Sequence, residues 1–305
     1  MGDNDRRPQA GTSSPSPTPH PSLPRALHAG PFRLPFGRTP LLMGVVNVTP
    51  DSFSDGGRFL EPRAAIRHGV RLAQEGAAIL DLGAESTRPG AMPVPVDEQL
   101  RRLLPVVRGL VGEVAVPLSI DTTCAAVAEP CLDAGATMVN DISGLTFDRE
   151  MAAAVAATDA ALVLMHCPAP PAVMQAHARY DDVVVEVVAA LAAAVGRAES
   201  AGIGRDRLVV DPGLGFGKTA EHNWDILRHL DVLADLGLPR LIGASRKSFI
   251  GMALGDEKEP MGVGDRLEGS LAVAMWCALA GVELLRVHDV DATARVLKMT
   301  EILIS

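Results

Sequence analysis

From Leu41 onward the chain alternates between two apolar patterns. Short continuous apolar runs read as strands buried on both faces. Longer stretches with apolar residues three and four apart read as helices with one buried stripe. The predicted strands are Leu42 to Val48, Ala78 to Leu82, Pro117 to Ile120, Met138 to Ile142, Ala161 to His166, Leu208 to Asp211, Leu241 to Ala244 and Leu284 to His288. The predicted helices follow them in turn. They are Pro62 to Glu75 (Ile66, Val70 and Ala73 on one face), Val96 to Val111, Ala125 to Asp133, Arg149 to Ala156, Tyr180 to Ala201, Glu221 to Asp235, Asp265 to Ala280 and Ala292 to Ile302. Eight strand–helix pairs over roughly 250 residues predict an α/β fold, a TIM (β/α)8 barrel. An open doubly wound sheet is the alternative. The count of eight, with no glycine-rich dinucleotide turn after the first strand, favours the closed barrel.

Residues 1–38 do not share the pattern. They are rich in Pro, Ser, Thr and Gly with almost no apolar periodicity, and read as a disordered arm. The expected organisation is that arm followed by one barrel domain over residues 39–305.

A barrel also predicts where the chemistry lies, at the C-terminal ends of the strands. Those ends carry Asn47, Asp81, Asp121, Asn140-Asp141, His166, Asp211, Ser245-Arg246-Lys247 and Arg286-Val287-His288-Asp289. All are polar. The first strand runs straight into the loop Thr49 to Gly57, where Pro50 and a cluster of Asp, Ser and Gly end the strand and Phe53 is a lone aromatic. An asparagine on a buried strand, followed by a long loop, suggests a binding site.

Composition narrows the function classes. Of 305 residues, 48% are hydrophobic but only 3% aromatic, so the core is built from Ala, Val, Leu and Ile. The formal net charge of −9 argues against a nucleic-acid or anionic-membrane partner. No apolar run reaches the length of a membrane span. The four cysteines form no C-x-x-C pair, which points to a reducing, cytoplasmic compartment. Gly213 to Thr219 looks like a phosphate-binding loop, but Pro212 stands where that motif needs glycine, which excludes an ATPase reading.

Seven ordered motifs carry a family resemblance. Asn47-Val48-Thr49-Pro50-Asp51-Ser52-Phe53-Ser54-Asp55-Gly56-Gly57 resembles the first signature of the dihydropteroate synthases. Asp81-Leu82-Gly83-Ala84-Glu85-Ser86-Thr87-Arg88-Pro89-Gly90-Ala91 resembles the second. Ser119 to Thr122, Asn140 to Gly144, Asp211 to Thr219, Ser245 to Gly251 and Arg286 to Asp289 follow in register. The resemblance implies condensation of (7,8-dihydropterin-6-yl)methyl diphosphate with p-aminobenzoate, two small-molecule substrates. The products are 7,8-dihydropteroate for folate synthesis and pyrophosphate, which leaves before the amine attacks.

The resemblance also implies roles. Asp121, Asn140 and Asp211 would bind the pterin edge, with Lys247 and Arg286 bordering the ring. Arg88, Arg286, His288 and Asn47 would hold the diphosphate, Asn47 through Mg²⁺. Phe53, Pro89 and Phe216 would wall the p-aminobenzoate site, with Thr87 and Ser245 donating to its carboxylate. The loops Thr49 to Gly57 and Glu85 to Ala91 would close after the diphosphate binds. A homodimer is implied in the same way. For a lone strand-end Asp the plainer reading is a cap on the next helix. For Lys247 or Arg286 it is a surface ion pair, and for Asn47 and His288 a satisfied core residue. A barrel that passes methyl-tetrahydrofolate to a corrinoid would share the pterin residues, but is expected to lack the first loop and the Ser245 to Phe249 motif. A non-catalytic pterin-binding paralogue is the other alternative. The chain departs from the family pattern at Ala84, at Thr123-Cys124 and at Cys167-Pro168-Ala169-Pro170-Pro171.

Overall fold

The computed structural model describes residues 23–48, 60–86, 90–256 and 258–304. A hairpin of β1 (Ala26–Ala29) and β2 (Phe32–Pro35) comes first. Eight parallel strands follow: β3 (Leu41–Asn47), β4 (Ile79–Gly83), β5 (Leu118–Asp121), β6 (Met138–Asp141), β7 (Ala161–Met165), β8 (Leu208–Asp211), β9 (Leu241–Ile242) and β10 (Leu284–Val287). Neighbours in sequence pair in space from β3 through β8, while β10 pairs with both β3 and β9. A single bridge between Val210 and Arg240 joins the remaining edges, so the sheet closes on itself as the periodicity predicts.

The helices cover the outside: α1 (Leu60–Gln74), α2 (Val96–Val111), α3 (Ala125–Asp133), α4 (Met151–Ala156), α5 (Val183–Ser200), α6 (Ala220–Arg228), α7 (Leu230–Ala234), α8 (Ser248–Leu254), α9 (Leu267–Leu279) and α10 (Val290–Ile304). Their starts follow local chemistry. Asp182 caps α5 by accepting from the N–H groups of Val184 and Val185. Thr219 and His222 form a reciprocal capping box on α6. α2 buries Leu103, Val106, Val107 and Leu110 and keeps Asp97 and Glu98 in its first turn, where the helix dipole favours them.

Three expectations are corrected. The arm is not structureless through residue 38. Leu27 and Ala29 of the hairpin, both fully buried, seat against Met43, Ile79, Met138, Val209 and Leu284 at the closed end of the barrel. The stretch was unreadable because only alternate short positions are apolar and its partner surface exists only once the barrel closes. The single helix over Glu221 to Asp235 is two, broken at His229. The Ser248–Leu254 stretch, to which the periodicity assigned no element, is the helix α8.

Strand alternation explains how the site is placed. Met43, Ile79, Met138, Val209 and Leu284 share the cluster at the closed end of the barrel. Side chains two residues apart lie on the same face of a strand. Two positions on from Ile79, Met138, Val209 and Leu284 stand Asp81, Asn140, Asp211 and Arg286. The lower layer is apolar and plugged by the hairpin; the upper layer is polar.

Candidate active site

Arg286 is the hub of the upper layer. Its Nε donates to Asp81 Oδ2 at 2.7 Å, and its Nη2 to Asp121 Oδ2 at 2.9 Å. The Nδ2 of Asn140 donates to the same Asp81 oxygen at 3.1 Å. Residues from β4, β5, β6 and β10 are thereby tied together at the barrel mouth. Burial disfavours the guanidinium charge, yet Asp81 and Asp121 together lift the Arg286 pKa above its usual value. Burial pushes Asp121 up to about 7, with Arg286 opposing and Asp81 adding repulsion. Burial also raises Asp211, against the pull of Lys247.

The Oδ1 atoms of Asp81, Asp121 and Asn140 are buried and have no hydrogen-bond partner. Buried acceptors are nearly always satisfied, so three left open in one layer point to a ligand that brings N–H donors. Asp211 is partly used, its Oδ1 accepting from the N–H of Gly213 at 2.7 Å.

Lys247, immediately before α8, turns its Nζ onto the carbonyl of Leu214 and stands 4.5 Å from the centroid of the Phe216 ring. Burial lowers its pKa to about 8, with Asp211 working the other way. Lys247 and Phe216 therefore sit together as a cation–π pair. Ser245 is already engaged with His288. Its Oγ accepts from the His288 N–H at 3.2 Å and lies 3.1 Å from the ring Nδ1. Burial, then Arg286 and Arg246, push the His288 pKa to about 4. It is a neutral imidazole at neutral pH and offers a hydrogen bond rather than a positive charge. Next to it Arg246, held at φ 59° by Ser270 and Arg266, pairs with Asp289.

Asn47 ends β3 at the mouth, where the strand-end reading placed it, and is exposed. Among the described residues there is no group of three acidic, His or Cys side chains that would hold a metal. One amide oxygen does not hold Mg²⁺ alone. It fits an ion that keeps its waters and arrives with phosphate oxygens. Phe53, Thr87, Arg88 and Pro89 lie outside the described residues. The base of the second loop is anchored, with Glu85 accepting from Val94 N–H and Gln99 Nε2, and the Ala84 carbonyl from Arg102.

Two contributors were not assigned a role from the sequence. Asp81, noted only as a strand end, is the shared acceptor of Arg286 and Asn140; its offset of two from Ile79 was the available signal. Lys218, part of the rejected phosphate-loop motif, is buried beside His166.

The fold and this mouth define a barrel enzyme whose site suits a flat heterocycle with N–H donors and a neighbouring anion. The family described as "Pterin binding enzyme" matches residues 43–288. A dihydropteroate synthase of Synechocystis is 42% identical over 281 residues, 92% of this chain and 96% of the relative. The structure of Xanthomonas albilineans dihydropteroate synthase with 4-aminobenzoic acid superposes with TM-score 0.81 at 46% identity, covering 88% of this chain and 94% of that one. The same enzyme in complex with 7,8-dihydropteroate gives TM-score 0.77 at 44% identity over the same shares. The chain belongs to the dihydropteroate synthase family of pterin-binding barrels.

Proposed function

We propose that this protein joins (7,8-dihydropterin-6-yl)methyl diphosphate to p-aminobenzoate, giving 7,8-dihydropteroate and pyrophosphate. The observation that carries the reading is the layer of open buried acceptors on Asp81, Asp121 and Asn140 around Arg286. An aminopyrimidinone edge offers N–H donors to such acceptors, and ionised carboxylates take them strongly. Relatives holding 4-aminobenzoic acid and 7,8-dihydropteroate support both halves of the reaction.

The C–O bond to the diphosphate breaks first, and pyrophosphate leaves with the bonding electrons. The cation left behind delocalises into the dihydropterin, where Asp121 and Asp211 offer negative charge. Arg286 borders the ring, and His288 donates to the departing anion as a neutral imidazole. Pre-placed charge of this kind lowers the barrier without a nucleophile on the protein. The amine nitrogen then forms the C–N bond and gives its proton to water or pyrophosphate. Phe216 and Lys247 lie beside the path of that amine. Mg²⁺ would neutralise diphosphate charge when bound, with Asn47 as its side-chain contact.

Four free cysteines support a reducing, cytoplasmic setting, and no helix among the described residues is long and apolar enough to cross a membrane. Met252, Leu254, Met275, Trp276 and Leu279 expose an apolar face on α8 and α9, which supports a homodimer. The deciding experiment mixes the protein with the pterin diphosphate, Mg²⁺ and radiolabelled p-aminobenzoate. Labelled dihydropteroate is expected, and its absence at every enzyme concentration refutes the reading.

A further inference from the structure

The loop after β8 is held in an unusual way. Five consecutive carbonyls, Gly213 to Gly217, each accept from a side chain. Lys218 Nζ donates to Gly213 and Phe216, both at 3.0 Å. Lys247 donates to Leu214, Gln175 Nε2 to Gly215 at 2.9 Å, and Tyr180 Oη to Gly217 at 2.9 Å. Presenting these carbonyls requires left-handed backbone at Gly213, Gly215 and Gly217, with φ of 69°, 80° and 56°. A Cβ at Gly213 would collide with the His166 carbonyl. The amides of the loop are braced as well, Gly213 N–H by Asp211 Oδ1 and Gly215 N–H by Asn223 Oδ1, both at 2.7 Å.

Lys218 is the centre of the clasp. It is 4% exposed and makes no ion pair among the described residues. Its third hydrogen bond reaches the Nδ1 of His166 at 2.9 Å. Burial lowers the Lys218 pKa to about 7. In its ammonium form it has three N–H donors, and Gly213 O, Phe216 O and His166 Nδ1 are the near acceptors, with His166 O at 3.4 Å. Burial and Lys218 itself keep His166 neutral, so Nδ1 is free to accept. Tyr180 and Gln175 reach the loop from the β7–α5 connection, which begins in the proline-rich Cys167 to Pro171 stretch.

The loop in turn sets two groups at the barrel mouth. It carries the Phe216 ring, and its Leu214 carbonyl receives Lys247. We propose that Lys218, with Gln175 and Tyr180, is a positioning residue for the p-aminobenzoate half of the site, acting through Phe216 and Lys247. The proposal rests on the function proposed above. Asp121, Asn140 and Arg286 are held by other strands and need no part of the clasp. On the pterin side, among the described residues, only Asp211, through the Gly213 N–H, and Lys247, through the Leu214 carbonyl, touch the loop, so the larger effect falls on p-aminobenzoate.

The test is Lys218→Met, which keeps the stem and removes the donors. The KM for p-aminobenzoate is expected to rise at least tenfold, while the Kd of the pterin diphosphate, measured by calorimetry without p-aminobenzoate, stays within about threefold. Hydrogen exchange of residues 213–219 is expected to speed up. A parallel loss of both affinities, or no change in either, overturns the proposal. Should that variant fail to fold, Gln175→Ala serves instead, because the side chain is exposed. It is expected to raise the p-aminobenzoate KM about threefold with an unchanged thermal midpoint; an unchanged KM overturns the proposal. Wild-type protein without turnover would refute the function itself, a result distinct from wild-type turnover without this split.

Discussion

Arg286→Met isolates the charge balance of the barrel mouth. Methionine keeps an unbranched stem and removes the guanidinium. Two carboxylates then face each other, Asp81 at 0% side-chain exposure and Asp121 at 8%. Removing one partner of a buried ion pair costs about 3–5 kcal/mol, because it strands uncompensated charge. The protein limits that cost by protonating a carboxyl, and this gives the effect a pH signature. Arg286 lowers the pKa of Asp121, which is about 7 with the guanidinium in place. Without it, the folded-state pKa lies above 7, while the unfolded value stays near about 3.9. From pH 7 up to the variant's own pKa, the folded variant holds a proton that the unfolded chain does not. Its stability therefore falls by up to about 1.4 kcal/mol per pH unit. In the wild type this group gives up its proton around pH 7 and contributes a flat term above about pH 8. Urea unfolding of both proteins at pH 6, 7, 8 and 9 should show a gap that widens above pH 7, with turnover at pH 7 reduced at least ~100-fold. A gap below about 1 kcal/mol throughout would mean that the pair behaves like a surface ion pair. A gap that does not vary with pH would refute the coupling of Asp121 to Arg286.

Three further outcomes are expected. Asn140→Ala removes one open acceptor and should weaken pterin diphosphate binding by about 10–100-fold; calorimetry showing unaltered affinity would remove Asn140 from the pterin site. Turnover should decline as pH falls below about 7, where Asp121 gains its proton and loses its negative charge, so a rate profile flat from pH 6 to 8.5 would contradict that role. Leu27→Ala opens a cavity under the barrel floor and should cost about 2–5 kcal/mol in urea unfolding with kcat/KM of the folded protein unchanged. A loss under about 0.5 kcal/mol would show that the hairpin does not seal the barrel.

The strands and most helices were legible because their apolar periods are local facts. Each barrel strand is buried on both sides and reads as a continuous run, whatever its neighbours. The hairpin was not legible, since Leu27 and Ala29 become core only against residues such as Met43 and Leu284. The break at His229 and the helix α8 also escaped, one inside an unbroken amphipathic stretch and the other in a stretch given no element. Asn47 was read at the rim end of its strand, and it is the residue at which β3 emerges from the barrel.

For the site, the sequence by itself determined the polar strand ends and, through their ordered motifs, the family. That information is local, because a strand end and a signature each occupy a few adjacent residues. Only the tertiary structure decided the partnerships. Arg286 lies 205 residues from Asp81 and 165 from Asp121, and no spacing rule links them. Barrel closure does, by setting β10 beside β3. The same closure brought His288 to Ser245 and buried it beside Arg286 and Arg246, which keeps it neutral, and turned Lys218 from a rejected phosphate-loop lysine into the clasp of the β8–α6 loop. Its acceptors there are three backbone carbonyls and one ring nitrogen. Carbonyls carry no residue identity, so contacts to them leave no trace in the sequence and exist only once the chain has folded.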